Sequence, residues 1–356
     1  MKVTKATAPE KPAGYAMPAE WQRHEATWIG WPHNRTDWPG KITPIQWVYG
    51  EIARRLAPGE RVHIIVNSER HEAQARRVLT RAGVDPARVV FFRFQTNRGW
   101  TRDFGPIFVR RGGRTAIARF RFNAWAKYTD WQKDDRVPEL AAAALGCPVI
   151  EAKHNARGVV LEGGSIDVNG RGTIITTEEC LLDPEIQTRN PGFSRADYET
   201  VFAKYLGAAN TLWLGRGIAG DDTHGHVDDL CRFVNETTVV LCRETDPQDA
   251  NYAPLAENRE RLEGRRLEDG SRIEVVELPM PAPLVFHGQR LPASYANFYI
   301  ANAAVLVPTF NDVNDRLALG VLGELFTDRP VIGIHAVDLV WGLGTLHCLT
   351  QQQPAK

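Results

Sequence analysis

The sequence predicts an α/β protein whose chain forms a closed ring of similar modules, each made of a hairpin, a helix and a further strand. Three observations predict this architecture. Four segments read as strand, tight turn and strand; they recur roughly every 60 to 66 residues; and the two ends of the chain supply the parts of a fifth unit. The alternative that remains open is an ordinary mixed α/β sheet with accidental hairpins.

The hairpins are identified by their turn residues. Gly112–Gly113, Asn169–Gly170, Asn235 and Asn302 each stand between two strand-like runs, and these residue types tolerate the dihedral angles of tight turns. Helices are expected between the hairpins, one of them capped by Ser194, and short strands follow helices or loops. The predicted hairpins span residues 107–122, 166–179, 232–244 and 298–311, the helices 136–146, 194–206 and 314–325, and the short strands 62–66, 211–214 and 273–278.

The first and last parts of the chain are expected to complete one module together. Residues 24–32, HEATWIGWP, read as a strand, and residues 345–352, TLHCLTQQ, read as a last buried strand beside it. This pairing closes the ring, leaves no exposed sheet edge and brings the modules together at a central axis, a natural place for a site. In such a strand His347 would face away from Cys348, so no catalytic role is assigned to His347.

Composition excludes several classes of partner. Lys plus Arg balances Asp plus Glu at 43 each, so the chain has no overall charge to recruit nucleic acid or an anionic membrane. The five cysteines are widely spaced, which argues against a disulfide framework and favours a reducing cytoplasm. No stretch is long and apolar enough to suggest a membrane span. We therefore predict a cytoplasmic protein with a flexible leader at residues 1–15 and one catalytic domain at 16–356; assembly into a homo-oligomer, a dimer or larger, is left open.

Dense polar groups stand just before the first three hairpins. They are GWTRDFGP at residues 99–106, LEGGS at 161–165 and DDTHGHVDD at 221–229. Equivalent places in modules related by a ring point at the same axis. This reasoning joins five scattered residues into one predicted constellation: Asp103, Glu162, His226, Asp228 and Cys348.

The chemistry of this set favours a cationic, planar substrate. Hydrolysis of a peptide or ester by a cysteine needs one histidine and one orienting group, and further acids would only raise the pKa of the thiol. A guanidinium presents its donors in a rigid fork that carboxylates match, and its carbon is poorly electrophilic, so a strong soft nucleophile is needed. The sequence therefore suggests attack of Cys348 on a guanidinium carbon, with no cofactor and no metal.

Two alternatives of other classes remain open at this point. His224, His226 and Asp228 alternate, so in a strand they would project from one face, and with Cys231 nearby they could bind the zinc ion of a hydrolase. Against this reading, the other histidines form no recognisable cluster of ligands. The second alternative is a binding protein without activity.

The motifs resemble those of the agmatine and peptidyl-arginine deiminase family of the guanidine-modifying superfamily. The resemblance runs in order from MPAEWQRHEATWIGWPHN through WTRDFGP, LEGGS, TTEECLL with RNPG and GHVDDLCRF to LHCLTQQ. It implies a five-bladed pseudo-symmetric α/β propeller and hydrolysis of a guanidine through a covalent thiouronium. It also assigns roles: Asp103 and Asp228 bind the guanidinium, His226 is the general acid and base, Glu162 is its partner and Cys348 is the nucleophile.

Agmatine, converted to N-carbamoylputrescine and ammonia, is the leading substrate. Its distal ammonium suits the acid and aromatic residues Trp100, Trp125 and Asp222, while Gly344, like Gly342, leaves room for close backbone approach. Alternatives are free or peptidyl arginine, with Arg290 as the candidate partner for a substrate carboxylate, and transfer of the carbon to an amine as in amidinotransferases. The chain departs from the family pattern at Leu343 and Thr345, at Asp222, and in the NRG sequence before Trp100.

Overall fold

The computed structural model describes residues 14–356. Of the leader predicted at residues 1–15, residues 1–13 lie outside the described residues. From Ala16 onward the chain is attached to the fold, since Ala16 and Arg110 exchange two backbone hydrogen bonds of 2.9 and 2.8 Å. The single domain predicted for residues 16–356 stays a prediction.

Five sheets, called sheets 1 to 5 in chain order of their hairpins, carry most of the strands. Each combines an antiparallel pair with a parallel neighbour, which is the arrangement expected of a hairpin followed by a helix and a strand. The α/β prediction is confirmed. Sheet 1 contains Thr350–Pro354, His24–Gly30, Arg61–Ile65 and Val89–Phe92; sheet 2 Ile107–Arg111, Arg114–Arg119 and Val149–Glu151; sheet 3 Asp167–Val168, Thr173–Thr177 and Asn210–Leu214; sheet 4 Cys231–Phe233, Thr238–Arg243 and Glu274–Pro279; sheet 5 Tyr299–Ile300, Val305–Thr309 and Val331–His335.

Helices connect the strands within and between the sheets, and two short hairpins, Lys153–His154 with Arg157–Gly158 and Val285–Phe286 with Gln289–Arg290, decorate the loops. Local signals set several helix ends. Gly146 ends one helix with a left-handed φ of 62°, and Ser194 opens another through a reciprocal capping box with Asp197. The helices are Ile42–Leu56, Glu69–Arg81, Thr101–Phe104, Val137–Leu145, Glu178–Leu182, Arg195–Val201 with a π turn at Phe202–Leu206, Tyr252–Leu262, Asp315–Leu325 and Leu346–Leu349.

The first and last strands pair in sheet 1, as the sequence predicts. His24–Gly30 runs antiparallel to Thr350–Pro354, and the indole Nε1 of Trp28 donates a 2.9 Å hydrogen bond to Oε1 of Gln353. The predicted strand through Cys348 is wrong, however, because Leu346–Leu349 forms one helical turn before the strand begins. Cys348 therefore lies at the start of sheet 1 and not within it.

A buried carboxylate, Glu20, joins elements of all five sheets. Its Oε1 accepts hydrogen bonds from Arg232 of sheet 4 at 3.0 Å and from the backbone N–H of Ile300 of sheet 5 at 2.8 Å. Its Oε2 contacts Arg102, which precedes sheet 2, at 3.1 Å. Arg102 in turn donates to Gln352 of sheet 1 at 2.7 Å, and Arg232 donates to Asp167 of sheet 3 at 3.1 Å. One buried ion cluster thus connects residues of sheets 1, 3, 4 and 5 and the turn that precedes sheet 2, directly beside the site described below.

The sheets bury their apolar strands against each other and against the helices. Trp28, Trp31 and Trp38 are fully buried in the larger of two apolar clusters, which also contains Cys348. A rigid core of this kind holds the loops at the strand ends in place. Within residues 14–356, no helix is long and apolar enough to cross a bilayer.

Candidate active site

Asp103 is fixed from two sides at the helical turn Thr101–Phe104. Its Oδ1 accepts a 3.1 Å hydrogen bond from the backbone N–H of Gly164, and its Oδ2 accepts one of 2.8 Å from the indole Nε1 of Trp125. Burial, together with the nearby carboxylates Asp228 and Glu162, raises the pKa of Asp103 to about 6, although His226 opposes this. The deprotonated form of Asp103 would therefore bind a nearby cation more tightly than the protonated form does.

A left-handed turn aims Trp125 at Asp103. Ala124, Trp125 and Ala126 have φ values of 51°, 59° and 53°, a conformation that costs an L-residue about 1–2 kcal/mol. The Asn123 side chain supports the turn by accepting a 2.9 Å hydrogen bond from the backbone N–H of Ala126. Strain of this kind persists where the surrounding structure enforces it, and it is common at functional sites.

His226 is the centre of the cluster. Its Nδ1 lies 3.7 Å from Oδ1 of Asp103 and 4.0 Å from Oδ1 of Asp228, and its Nε2 lies 3.8 Å from Oε2 of Glu162. Neither ring nitrogen has a hydrogen-bond partner among the described residues, although the ring is buried. Burial alone would lower its pKa, but Asp103, Cys180 and Glu162 hold the pKa of His226 well above its ordinary value. The imidazole is thus held as a cation and can give up a proton.

Glu162 is ionised beside His226 because of a buried arginine. The Nε of Arg189 donates to Oε1 of Glu162 at 3.1 Å, and both side chains are fully buried. Burial would raise the pKa of Glu162, but Arg189 and His226 lower it to about 2. The following Gly164 packs so closely that a Cβ there would stand 2.6 Å from Nδ1 of His226.

Asp228 is oriented by His347, whose ring does not face away from the site as the predicted strand would have placed it. The ring of His347 bridges two carboxylates, with Nδ1 2.6 Å from Oδ2 of Asp228 and Nε2 2.8 Å from Oε2 of Glu20. Burial alone would raise the pKa of Asp228, but the contact with His347 lowers it. The second oxygen, Oδ1, is buried and lacks a hydrogen-bond partner within the described chain, so it is available to a further donor.

Cys348 completes the set that the sequence predicts. Its Sγ lies 3.8 Å from Oδ2 of Asp228 and 3.1 Å from the amide Nδ2 of Asn297. Burial and the carboxylates of Asp228, Asp229 and Asp103 raise the pKa of the Cys348 thiol well above its ordinary value. The structure therefore brings the five residues into one chain of contacts, in which burial and the nearby carboxylates favour the protonated thiol of Cys348.

A pocket with a cavity volume of about 170 Å³ opens above Cys348 and Asp103. Trp100 and Trp125 line it, whereas His226, Glu162 and Asp228 are not among its lining residues. At Gly344 a Cβ would stand 2.9 Å from the Trp100 ring and 3.1 Å from Sγ of Cys348, so the glycine makes room for these two side chains. The remaining lining residues are Thr36, Asp37, Pro39, Arg98, Tyr128, Asp222, Thr223, Gln289, Trp341, Gly342 and Leu343.

Asp222 lies in the pocket wall, but its carboxylate already has partners. Lys127 donates to its Oδ1 at 2.6 Å and the hydroxyl of Tyr128 to its Oδ2 at 2.7 Å. Arg290, the candidate partner for a substrate carboxylate, is bound to Asp249 at 2.8 Å instead. A distal ammonium would therefore meet an acid partly neutralised by Lys127.

The zinc alternative fails on geometry. His224 does not share a strand face with His226 and Asp228, because the segment is a loop in which His224 adopts a φ of 63° and turns its Nε2 to Asp183 at 2.9 Å. Across residues 14–356, two other sets place three potential ligand atoms within 4.8 Å of one another: Glu162 with Cys180 and His226, and Asp228 with Asp229 and Cys348. The predicted set of His224, His226 and Asp228 is not among them.

Comparison with known proteins agrees with this geometry. The family model described as Porphyromonas-type peptidyl-arginine deiminase matches residues 16–354. An agmatine deiminase of Stutzerimonas stutzeri is 35% identical over 99% of both chains, and one of Ectopseudomonas mendocina is 33% identical over 99% of both chains. The solved structure of an agmatine deiminase of Enterococcus faecalis is similar with a TM-score of 0.86 at 30% identity, covering 96% of each chain. The chain therefore belongs to the Porphyromonas-type peptidyl-arginine deiminase family.

Proposed function

We propose that this protein hydrolyses the guanidinium group of agmatine to N-carbamoylputrescine and ammonia through a covalent intermediate on Cys348. One observation carries the proposal: a buried thiol, a protonated imidazole and three carboxylates form one contact set, and two of its members, Cys348 and Asp103, line an aromatic-lined pocket. Two relatives that match almost the whole chain bear the name agmatine deiminase.

The guanidinium binds between Asp103 and Asp228. The unpartnered Oδ1 of Asp228 accepts from one of its amino groups, and Asp103 supplies a second carboxylate. The arriving cation offsets the negative potential that keeps Cys348 protonated, so the thiol loses its proton to solvent water. Binding and activation of the nucleophile are thereby coupled.

His226 serves both halves of the reaction. The thiolate of Cys348 adds to the guanidinium carbon to give a tetrahedral adduct, and His226, kept protonated by its carboxylate neighbours, donates a proton to the departing ammonia. The resulting thiouronium is attacked by water, whose proton returns to His226. As the carbon–sulfur bond breaks, the added hydroxyl gives its proton to the departing sulfur, which releases the neutral urea product and regenerates the Cys348 thiol. Glu162, anchored by Arg189, keeps the imidazolium in place.

The substrate's distal ammonium extends toward the pocket mouth. Trp100 and Trp125 present aromatic faces along the way, and Asp222 stands in the wall with Lys127 beside it. Free arginine would bring a carboxylate into the same space, and Arg290 is occupied by Asp249. Agmatine therefore fits the lining better.

We also infer that the five sheets are the blades of a five-bladed pseudo-symmetric α/β propeller formed by residues 16–356. The contacts of Glu20 support this inference. Glu20 binds Arg232 of sheet 4, the backbone N–H of Ile300 of sheet 5, and Arg102, which precedes sheet 2. Arg102 in turn binds Gln352 of sheet 1, and Arg232 binds Asp167 of sheet 3. We place the protein in the cytoplasm, since all five cysteines are free thiols.

The test is release of ammonia from agmatine by Cys348→Ala and Cys348→Ser. Both variants should fold and be inactive, while Cys147→Ser, altered at a thiol in a groove lined by Leu145 and Pro148, should retain activity. Treatment with EDTA should leave the rate unchanged. Activity that EDTA abolishes and zinc restores would contradict the thiol mechanism, and faster ammonia release from arginine or an arginyl peptide would overturn the substrate assignment alone.

A further inference from the structure

Glu162, Cys180 and His226 form a buried group of three side chains on the Nε2 side of the imidazole. One atom of each side chain that can bind a metal lies within 4.8 Å of the corresponding atoms of the other two. Nε2 of His226 and Oε2 of Glu162 are 3.8 Å apart, and neither atom has a hydrogen-bond partner within residues 14–356. Buried polar atoms are nearly always paired, so two unpaired atoms side by side point to a further partner.

Cys180 is held in this group by the helix Glu178–Leu182. The hydroxyl of Thr177 caps this helix by accepting a 3.2 Å hydrogen bond from the backbone N–H of Cys180, and it donates one of 2.5 Å to the carbonyl oxygen of Gly225. Gly225 directly precedes His226, so one hydroxyl connects the helix that carries the cysteine to the loop that carries the histidine. The thiol of Cys180 is buried, and the proposed reaction does not use it.

The types of ligand and their spacing fit a divalent ion such as Zn²⁺. Zinc binds thiolate sulfur at about 2.3 Å and imidazole nitrogen or carboxylate oxygen at about 2.0–2.2 Å, so the ligand atoms of a tetrahedral site lie about 3.3–3.8 Å apart. The distance from Nε2 to Oε2 already meets this limit, and the sulfur must approach by at most about 1 Å. Mg²⁺ and Ca²⁺ prefer oxygen ligands, so sulfur and nitrogen select against both.

A divalent ion can bind without changing the net charge of the buried group. In the metal-free protein the imidazolium of His226 balances the carboxylate of Glu162, and Cys180 contributes a thiol. The ion displaces two protons to solvent, one from Nε2 and one from the thiol, and ligand deprotonation of this kind accompanies metal binding in general. Two positive charges thus replace two protons, and the buried guanidinium of Arg189 faces the same total charge as before.

We propose that Glu162, Cys180 and His226 form an inhibitory binding site for Zn²⁺ and the similar ions Co²⁺ and Cd²⁺. An ion on Nε2 holds His226 as a neutral ligand, so the imidazole no longer donates a proton to the departing ammonia. Binding of the ion does not depend on the proposed function, whereas inhibition rests on it, because there His226 is the general acid. The metal-free protein is the active form.

The test is binding of Co²⁺, a spectroscopic substitute for Zn²⁺, to the Cys348→Ala variant. This background removes the thiol of the other three-ligand set, Asp228, Asp229 and Cys348. Co²⁺ should give the near-ultraviolet absorption of a thiolate–cobalt bond, with one ion per chain. Adding Cys180→Ala should abolish this absorption, whereas adding Cys147→Ala, at a half-buried thiol elsewhere in the molecule, should leave it unchanged. The protein is incubated with the ion before each measurement, because the ligands are buried.

Inhibition by Zn²⁺ of ammonia release from agmatine is the second measurement, and each rate is compared with that of the same variant without metal. Loss of even an outer-shell partner costs about 10- to 100-fold in metal affinity, so loss of a ligand in Cys180→Ser should raise the inhibition constant at least about 10-fold. The affinity for Co²⁺ should fall as the pH falls, because protons compete for the thiolate and the imidazole.

Three outcomes would overturn the proposal. Thiolate–cobalt absorption that is present in the wild type and lost in folded Cys348→Ala would place the ion on the nucleophile instead. Absorption that survives Cys180→Ala would place it on another thiol, and no absorption in any folded variant would exclude the site. Cobalt binding is measured in a variant without the nucleophile, so its failure is separate from ammonia release by the metal-free wild type, which tests the deiminase function.

Discussion

Replacing Gly164 with alanine should inactivate the site through one misplaced methyl group. The added Cβ would stand 2.6 Å from Nδ1 of His226, 2.8 Å from Oδ1 of Asp103 and 3.1 Å from Oδ2 of Asp228. Comfortable contacts of carbon with other heavy atoms begin at about 3.5 Å, so His226 must retreat by roughly 0.9 Å or the backbone must shift by a similar distance. These three side chains are nearly fully buried and have little room to yield.

The expected loss follows from that displacement. A misplacement of about 1 Å at a reacting group can cost about 100-fold in rate, and overpacking of a core costs about 1–3 kcal/mol of stability. The backbone of Gly164 is not left-handed, so alanine is tolerated there conformationally and the effect is steric. Gly164→Ala should therefore lose about 100-fold in kcat for ammonia release from agmatine and retain a cooperative thermal transition.

Gly320→Ala provides the matched control. Gly320 lies in the helix Asp315–Leu325, and within the described residues no heavy atom other than the helix's own backbone lies within 4 Å of a Cβ added there. This variant should keep the wild-type kcat and gain up to about 1 kcal/mol from helix propensity. A folded Gly164→Ala variant with kcat within threefold of wild type would refute the close packing of Gly164 against His226.

Four further outcomes are expected. The value of kcat/KM for agmatine should fall about tenfold from its plateau to pH 5, because Asp103, with a pKa of about 6, loses its negative charge as the pH falls; a pH–rate profile checks this. Asp222→Asn should raise KM more than it lowers kcat, measured by steady-state kinetics. Arg189→Met should lower the free energy of unfolding in urea by about 3–5 kcal/mol, since it leaves a buried carboxylate without its partner. Leu343→Gly should raise activity toward bulkier guanidines relative to agmatine, because Leu343 lines the pocket with a left-handed φ of 69°.

Features governed by neighbouring residues could be predicted from the sequence. The turn at Gly112–Gly113, the helix stop at Gly146 and the cap at Ser194 depend on local dihedral preferences, and each lies where the pattern indicates. The pairing of the first and last segments followed from the repeat, because a ring needs its ends to meet. The family resemblance was confirmed for the same reason, since it depended on several short motifs in order.

Features that depend on distant residues could not be predicted. Glu20 binds Arg232 across 212 positions and His347 across 327, and no local pattern around Glu20 signals either contact. The apolar pattern of Leu346–Leu349 beside a strand predicts a strand, but the segment is a helical turn whose His347 backbone N–H donates to Oδ1 of Asn297, a contact across 50 positions. In the helical turn the ring of His347 reaches Asp228, whereas a strand would have turned it away from Cys348.

The electrostatics of the cluster explain why one site joins recognition to reactivity. Three carboxylates near Cys348 would be a defect in an enzyme that attacks a neutral carbonyl, because they keep the thiol protonated. With a guanidinium present the same carboxylates are neutralised, and the imidazolium of His226 stays available as an acid because Glu162 and Arg189 lie on its far side. A neutral electrophile that enters the pocket gains no such activation. The site therefore selects a cationic substrate for two reasons: the shape of the pocket, and the positive charge that must be present for Cys348 to become a thiolate.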